Sequence, residues 1–149
     1  MFARLLDRLM NPAPAPLAGS DARLALAALM VRLARADGHY APEEVARIDR
    51  LLAARYGVSP GEAAKLRGMA EVLEQEAPDT VRFTRALKAA VPLEDRIGLI
   101  EALWAVALAD GSRDDDEDRL MRLVADLLGL TDRDSALARR RTEGRGGAV

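Results

Sequence analysis

The sequence predicts an all-α, single-domain bundle built around a duplicated helix hairpin. Three observations carry this. Half of the 149 residues are apolar, yet there are only one tryptophan, two tyrosines and two phenylalanines. The core must therefore come from Ala, Leu, Val, Ile and Met, which suit closely packed helices better than a β-sandwich. Apolar residues recur at i, i+3, i+4 and i+7 along most of the chain, the helical period. Finally, ARADGHYAPEE at 34–44 returns as ALADGSRDDDE at 107–117, each between an apolar run and an acidic helix start.

Taken in order, Phe2, Leu5, Leu6 and Leu9 mark a short amphipathic helix within residues 1–10. Residues 11–19, with prolines at 12, 14 and 16, read as an extended linker. The main domain is expected over 20–131. Its first helix, 21–36 with Ser20 as N-cap, is apolar nearly all round, the mark of an element enclosed by others. A second, 42–56, carries one stripe of Val45, Ile48, Leu51 and Leu52 and stops at Gly57. The third (60–76) carries Leu66, Met69, Ala70 and Leu73, and the fourth (79–90) carries Val81, Phe83, Thr84 and Leu87. The fifth, 93–109, is again apolar nearly all round and includes Trp104. The sixth, 115–128, has a stripe of Leu120, Leu123, Val124 and Leu127 before Gly129. Residues 132–149 read as a helix end followed by a basic, flexible tail.

Composition excludes several chemistries. Without cysteine there is no disulfide, thiolate zinc site or thiol nucleophile, and one histidine removes most zinc and Ser-His-Asp chemistry. A net charge of −2 gives no general attraction to nucleic acid or an anionic surface. The longest apolar run, from Leu24, is broken by Arg32 and Arg35 and falls short of the roughly 18 residues that read as a membrane span. No secretory signal is evident, so a cytoplasmic location is expected. No P-loop, dinucleotide fingerprint, His-Glu-x-x-His or nucleophile elbow occurs.

The repeat therefore holds the functional interest. Helices one and two match helices five and six, and alternating short connections would bring both acidic loops to the same end. Much of each loop is explained by capping: Gly38 and Gly111 suit a left-handed helix stop, while Asp114 with Glu117, and more weakly Pro42 with Glu44, suit a capped start. Asp37 and Asp110 are harder to explain, since the macrodipole disfavours a carboxylate at a helix C-terminus by about 0.3–1 kcal/mol. Either each staples its turn through backbone N–H groups, or a cation lies between Asp37 and Glu44 and between Asp110 and Glu117. Oxygen-only ligands favour Ca²⁺ or Mg²⁺ over Zn²⁺, since only His39 offers a nitrogen. Beyond the loop the register slips: Glu44 maps to Glu117 counted from Asp-Gly, but to Asp116 counted back from the closing glycine. Glu43, Asp114 and Asp116 are further candidate ligands, although capping accounts for Glu43, Asp114, Asp115 and Asp118.

LMVRLARADGHYAPEEVARIDRLL and EDRIGLIEALWAVALADGSRDDDEDRLMRLVADLLGLT, in this order, resemble the TerB-like family, named for tellurite-resistance proteins and related to the N-terminal region of a membrane-anchored J-domain co-chaperone. The resemblance spans residues 20–131. It implies a bundle of about seven helices, a divalent-cation site at the residues matching Asp37, Glu44, Asp110 and Glu117, and no enzymatic activity. It also implies stress-response protein partners, some membrane-associated, and so a place at the inner membrane face. Two departures stand out: Ala41 offers no oxygen where the second copy has Asp114, and the first hairpin is one residue longer. The sequence-level expectation is a non-enzymatic TerB-like interaction module with a cation site at its acidic loops. A scaffold with aspartate staples and no metal is the alternative, and a metal-dependent hydrolase the third.

Three single residues complete the reading. His39 is expected to be exposed and Trp104 to lie in the core. Arg96, near the start of the fifth helix, opposes the dipole there and is expected either to find a carboxylate partner or to be solvated.

Overall fold

The computed structural model describes residues 19–36, 38–76, 80–108 and 115–146. The expected helix within 1–10, nearly all of the 11–19 linker, and Asp37, Asp110, Gly111 and Asp114 lie outside the described residues. Those that are described form seven helices and no strand: α1 (Gly19–Ala34), α2 (Pro42–Tyr56), α3 (Pro60–Glu76), α4 (Val81–Ala90), α5 (Leu93–Ala107), α6 (Asp115–Leu127) and α7 (Asp132–Gly146).

Helix α1 is the axis. It packs against α2, α3, α4, α5 and α6, and from Leu24 to Ala34 only Arg32 is not fully buried. Each buried leucine there contributes about 1.5–3 kcal/mol relative to exposure. The helix begins at Gly19, so Ser20 lies within it instead of capping it. Helix α5 is the second buried element, enclosed by α1, α2, α6 and α7.

Helix limits follow local chemistry. Gly57 (φ 61°) closes α2 through its N–H to Ala53 O, and Gly129 (φ 79°) closes α6, with Leu130 N–H reaching Ala125 O at 2.9 Å. Both conformations lie in the left-handed region that glycine enters without strain. Ser59 starts α3 by accepting Glu62 N–H at 3.1 Å.

The amphipathic stripes differ from expectation at their edges. Met69, Val81, Leu93 and Leu123 are exposed, whereas Ala63, Ala86, Met121, Ala125 and Leu128 are buried. Ala70, Leu73, Phe83, Thr84, Leu87 and Val124 are buried as the stripes predicted, so each seam was found but its edge was not.

Helix α7 is longer than a helix end. Thr131 and Asp134 form a capping box, Asp134 N–H donating to Thr131 Oγ1 at 3.0 Å and Thr131 N–H to Asp134 Oδ2 at 3.1 Å. Its buried residues Ser135 and Ala138 dock on α5, and Trp104 Nε1–H donates to Ser135 Oγ at 3.1 Å. Arg139 lies over the same indole, 5.3 Å from its centroid. Trp104 is thus a core residue with its one polar atom satisfied.

Candidate functional site

Side-chain contacts fix which helix termini share an end. Arg23 at the start of α1 lies over the Tyr56 ring at the end of α2, 4.8 Å from the centroid. Arg55, also at the end of α2, packs against Gly98 in the first turns of α5, where an added Cβ would lie 3.4 Å from Nη1. Arg96 donates to Lys88 O (3.1 Å), Val91 O (3.0 Å) and Leu128 O (3.1 Å). The starts of α1 and α5 and the ends of α2, α4 and α6 therefore lie together. Arg96 finds carbonyls and not a carboxylate, because the ends of α4 and α6 present orphan carbonyls and a negative dipole to it.

At the opposite end, Arg32 and Arg35 in the final turn of α1 and just beyond meet Glu74 in the last turn of α3. Arg32 Nη1 also reaches Thr80 Oγ1 before α4 at 3.4 Å. Helices α2 and α6 terminate at the first end, so their first turns point to this second one. Glu44 and Glu117 are in those turns.

These two glutamates differ from the acids beside them. Glu44 is 2% exposed and Glu117 3% exposed, while Glu43, Asp115 and Asp116 are exposed and Asp118 is half-buried. Each is the first member of a buried row at i, i+4, i+8: Glu44, Ile48 and Leu52 in α2, and Glu117, Met121 and Ala125 in α6. This common row resolves the register in favour of Glu44 with Glu117. Asp116 points outward, 3.3 Å from Arg119 Nη1.

The physical basis is visible at Glu44, whose Oε1 accepts Ala41 N–H at 3.1 Å. Ala41 has no side-chain oxygen to complete the reciprocal arm, so this is half a capping box. The N-terminal dipole of α2 further favours the carboxylate, as that of α6 favours Glu117. Gly38 (φ 84°) has the left-handed conformation expected of a helix stop, with its N–H 3.0 Å from Arg35 O, and His39 is exposed as expected.

Sequence reading missed what surrounds the first loop. Arg35 Nη1 reaches Glu74 Oε1 at 2.8 Å, and Arg32 Nε reaches Oε2 of the same residue at 3.0 Å. Tyr40 Oη–H donates to Glu71 Oε2 at 2.7 Å, and Arg67 joins Glu71 to Asp49. Burial, and then the hydrogen bond to Glu71, raise the Tyr40 phenol well above its ordinary pKa. The available signal was the spacing of Arg32/Arg35 and Glu71/Glu74, each three apart on one helical face.

Among the described residues, no group of three or more His, Asp or Glu side chains is placed to hold a metal ion. Of the candidate ligands whose placement is described, Glu44 and Glu117 are the buried ones. Asp37, Asp110 and Asp114 are not described, and Glu43 and Asp116 are on the outside.

Fold and site together define an all-α bundle whose buried axis and second buried helix are each followed by a helix with a buried glutamate in its first turn. The family model for tellurite resistance protein TerB matches residues 23–140, and the chain belongs to this family. No curated protein and no solved structure matches it.

Proposed function

We propose that this TerB-family chain is a non-enzymatic interaction module of a tellurite-resistance-type stress response, with a divalent-cation site formed by Asp37, Glu44, Asp110 and Glu117. The observation that carries the reading is the burial of Glu44 and Glu117 at equivalent positions, both at the end of the bundle where α2 and α6 begin. A carboxylate withdrawn from water needs positive potential facing it, since its desolvation costs several kcal/mol. The helix N-termini supply part of this in both copies, and a bound Ca²⁺ or Mg²⁺ would be the largest local source. Ion occupancy would then set the conformation offered to protein partners, including membrane-associated ones met from the cytoplasmic side. No described helix is long and apolar enough to cross a membrane.

A specific observation favours a second reading. The Ala41 N–H bond to Glu44 is a turn staple that works without any ion, so the chain would be a scaffold whose acids only fix its hairpins. Calorimetric and NMR titration with Ca²⁺, Mg²⁺, Mn²⁺ and Zn²⁺ separates the two. The cation reading expects saturable binding that is lost in the Asp37→Asn/Asp110→Asn double variant, and lowered by Glu44→Gln or Glu117→Gln. Absence of binding, or binding indifferent to these changes, leaves the scaffold.

A further inference from the structure

The two hairpins are duplicated, but the structure secures the first by side chains that the second copy does not carry at the matching positions. On one side of the first loop, Arg35 pairs with Glu74 Oε1 at 2.8 Å. On the other, Tyr40 donates to Glu71 Oε2 at 2.7 Å. Glu71 and Glu74 are three residues apart on α3, so one face of that helix holds both ends of the loop. The Arg35 guanidinium also lies over the Tyr40 ring, 5.0 Å from its centroid, which ties the two sides to each other.

The grip continues into α2. Arg67 Nη1 meets Glu71 Oε2 at 3.2 Å, while its Nε and Nη2 meet Asp49 Oδ1 and Oδ2 at 2.7 and 3.3 Å. Such paired guanidinium–carboxylate contacts fix orientation as well as distance. Tyr40 adjoins Ala41, whose N–H holds Glu44 Oε1. Counted from the Asp-Gly pairs, the second copy carries Leu108 at the position of Arg35, which offers no cation there, and Arg113 at the position of Tyr40, which offers no phenol.

We infer that Arg35 and Tyr40, held on Glu74 and Glu71, latch the first acidic hairpin onto α3 and fix Glu44 before any ligand arrives. The first hairpin is accordingly preorganised by the tertiary fold, through side chains that the second copy does not carry at the matching positions. Preorganisation raises affinity by lowering the ordering cost of binding. It therefore offsets the missing oxygen at Ala41. The consequence for affinity rests on the cation reading above, whereas the latch itself does not. Tyr40 and Arg35 are positioning residues in this scheme, acting through Glu44.

The test uses the full chain, as wild type, Tyr40→Phe, Glu71→Ala and Glu71→Gln. Tyr40→Phe keeps the ring beneath Arg35 and removes only the hydroxyl. Glu71→Gln keeps an oxygen acceptor for the phenol and serves as conservative rescue. Amide hydrogen exchange is read at Ala41, Glu44 and Val45, with α6 amides as internal reference, alongside Ca²⁺ and Mg²⁺ titrations. The latch predicts exchange about tenfold faster at the three amides in Tyr40→Phe and Glu71→Ala, the scale of losing one hydrogen bond to a charged group. Glu71→Gln should lie closer to wild type and the α6 amides should not change. Cation affinity should fall by a similar factor. Wild-type exchange in both Tyr40→Phe and Glu71→Ala overturns the latch. Faster exchange with no cation bound by the wild type upholds the latch and removes the cation reading. Faster exchange with undiminished affinity overturns the preorganising role alone.

Discussion

Arg96 Nη1 donates to the carbonyl of Leu128 at 3.1 Å, tying the first turn of α5 to the end of α6. The same guanidinium serves Lys88 and Val91 at the end of α4, so one side chain closes two helix C-termini. Arg96→Ala should destabilise the fold by about 2–3 kcal/mol, the value of charge-assisted hydrogen bonds replaced in part by water. Arg96→Lys should recover only part of this, because an ammonium lacks the planar fork that reaches three carbonyls. Urea unfolding reads both, and an unchanged midpoint in Arg96→Ala would show that water serves these carbonyls as well.

Two glycines should respond in opposite directions. Gly68 lies within α3, and a Cβ there would meet nothing within 4 Å, so Gly68→Ala should stabilise by about 0.5–1 kcal/mol. Gly129 has φ 79°, and Gly129→Ala should cost about 1–2 kcal/mol through the left-handed backbone alone. Paired thermal melts check the contrast.

Trp104, the sole tryptophan, reports the docking of α7 on α5. Ser135→Ala removes the acceptor of its indole N–H in a buried setting and should cost about 1–3 kcal/mol. Tryptophan fluorescence should detect this as a changed emission maximum in the folded state, together with an earlier unfolding midpoint. An unaltered spectrum and midpoint would mean the indole finds another acceptor.

Alkaline stability should depend on Tyr40. Burial first, and Glu71 second, raise its pKa in the folded protein above the ordinary value, so the folded state retains the phenolic proton more strongly than the unfolded chain does. Its contribution is complete below about pH 10 and is lost as pH rises from there through the folded-state value. Tyr40→Phe should therefore flatten the fall of melting temperature as pH rises above about 10. Tyr56, raised mainly by burial, should leave a residual slope in that variant.

The acid side has a counterpart at Asp134. The Thr131 backbone N–H, and next its hydroxyl, lower this carboxyl below the ordinary aspartate value. Its contribution is therefore present above the unfolded-state pKa and lost as pH falls through the folded one. Asp134→Asn should reduce the acid sensitivity of α7, measured as the pH dependence of Trp104 fluorescence.

Much of the bundle was legible because helix periodicity and turn chemistry are local. The all-round apolar character of residues 24–34 predicted a central helix, and α1 is central. Gly38, Gly57 and Gly129 predicted three helix stops, and all three have positive φ. The faces of α3, α4 and α6 were less legible, since a stripe containing alanine beside leucine does not say which of them meets the neighbour. Met69 and Leu123 are outside for that reason, and Ala63 and Ala125 inside. At the candidate site, the correspondence of Glu44 with Glu117 was readable from the repeat. Their burial, and the exposure of Asp116, were not.

The sequence by itself determined the helix inventory between Gly19 and Leu127, the duplicated hairpin and its acidic composition, because each depends on residues within a few turns of one another. Only the tertiary structure decided which acids leave water, which carbonyls Arg96 closes, and that α3 grips one hairpin through Glu71 and Glu74. Those outcomes depend on contacts between residues about 30 to 40 positions apart, and helical spacing carries no information about what a distant segment brings to the same end.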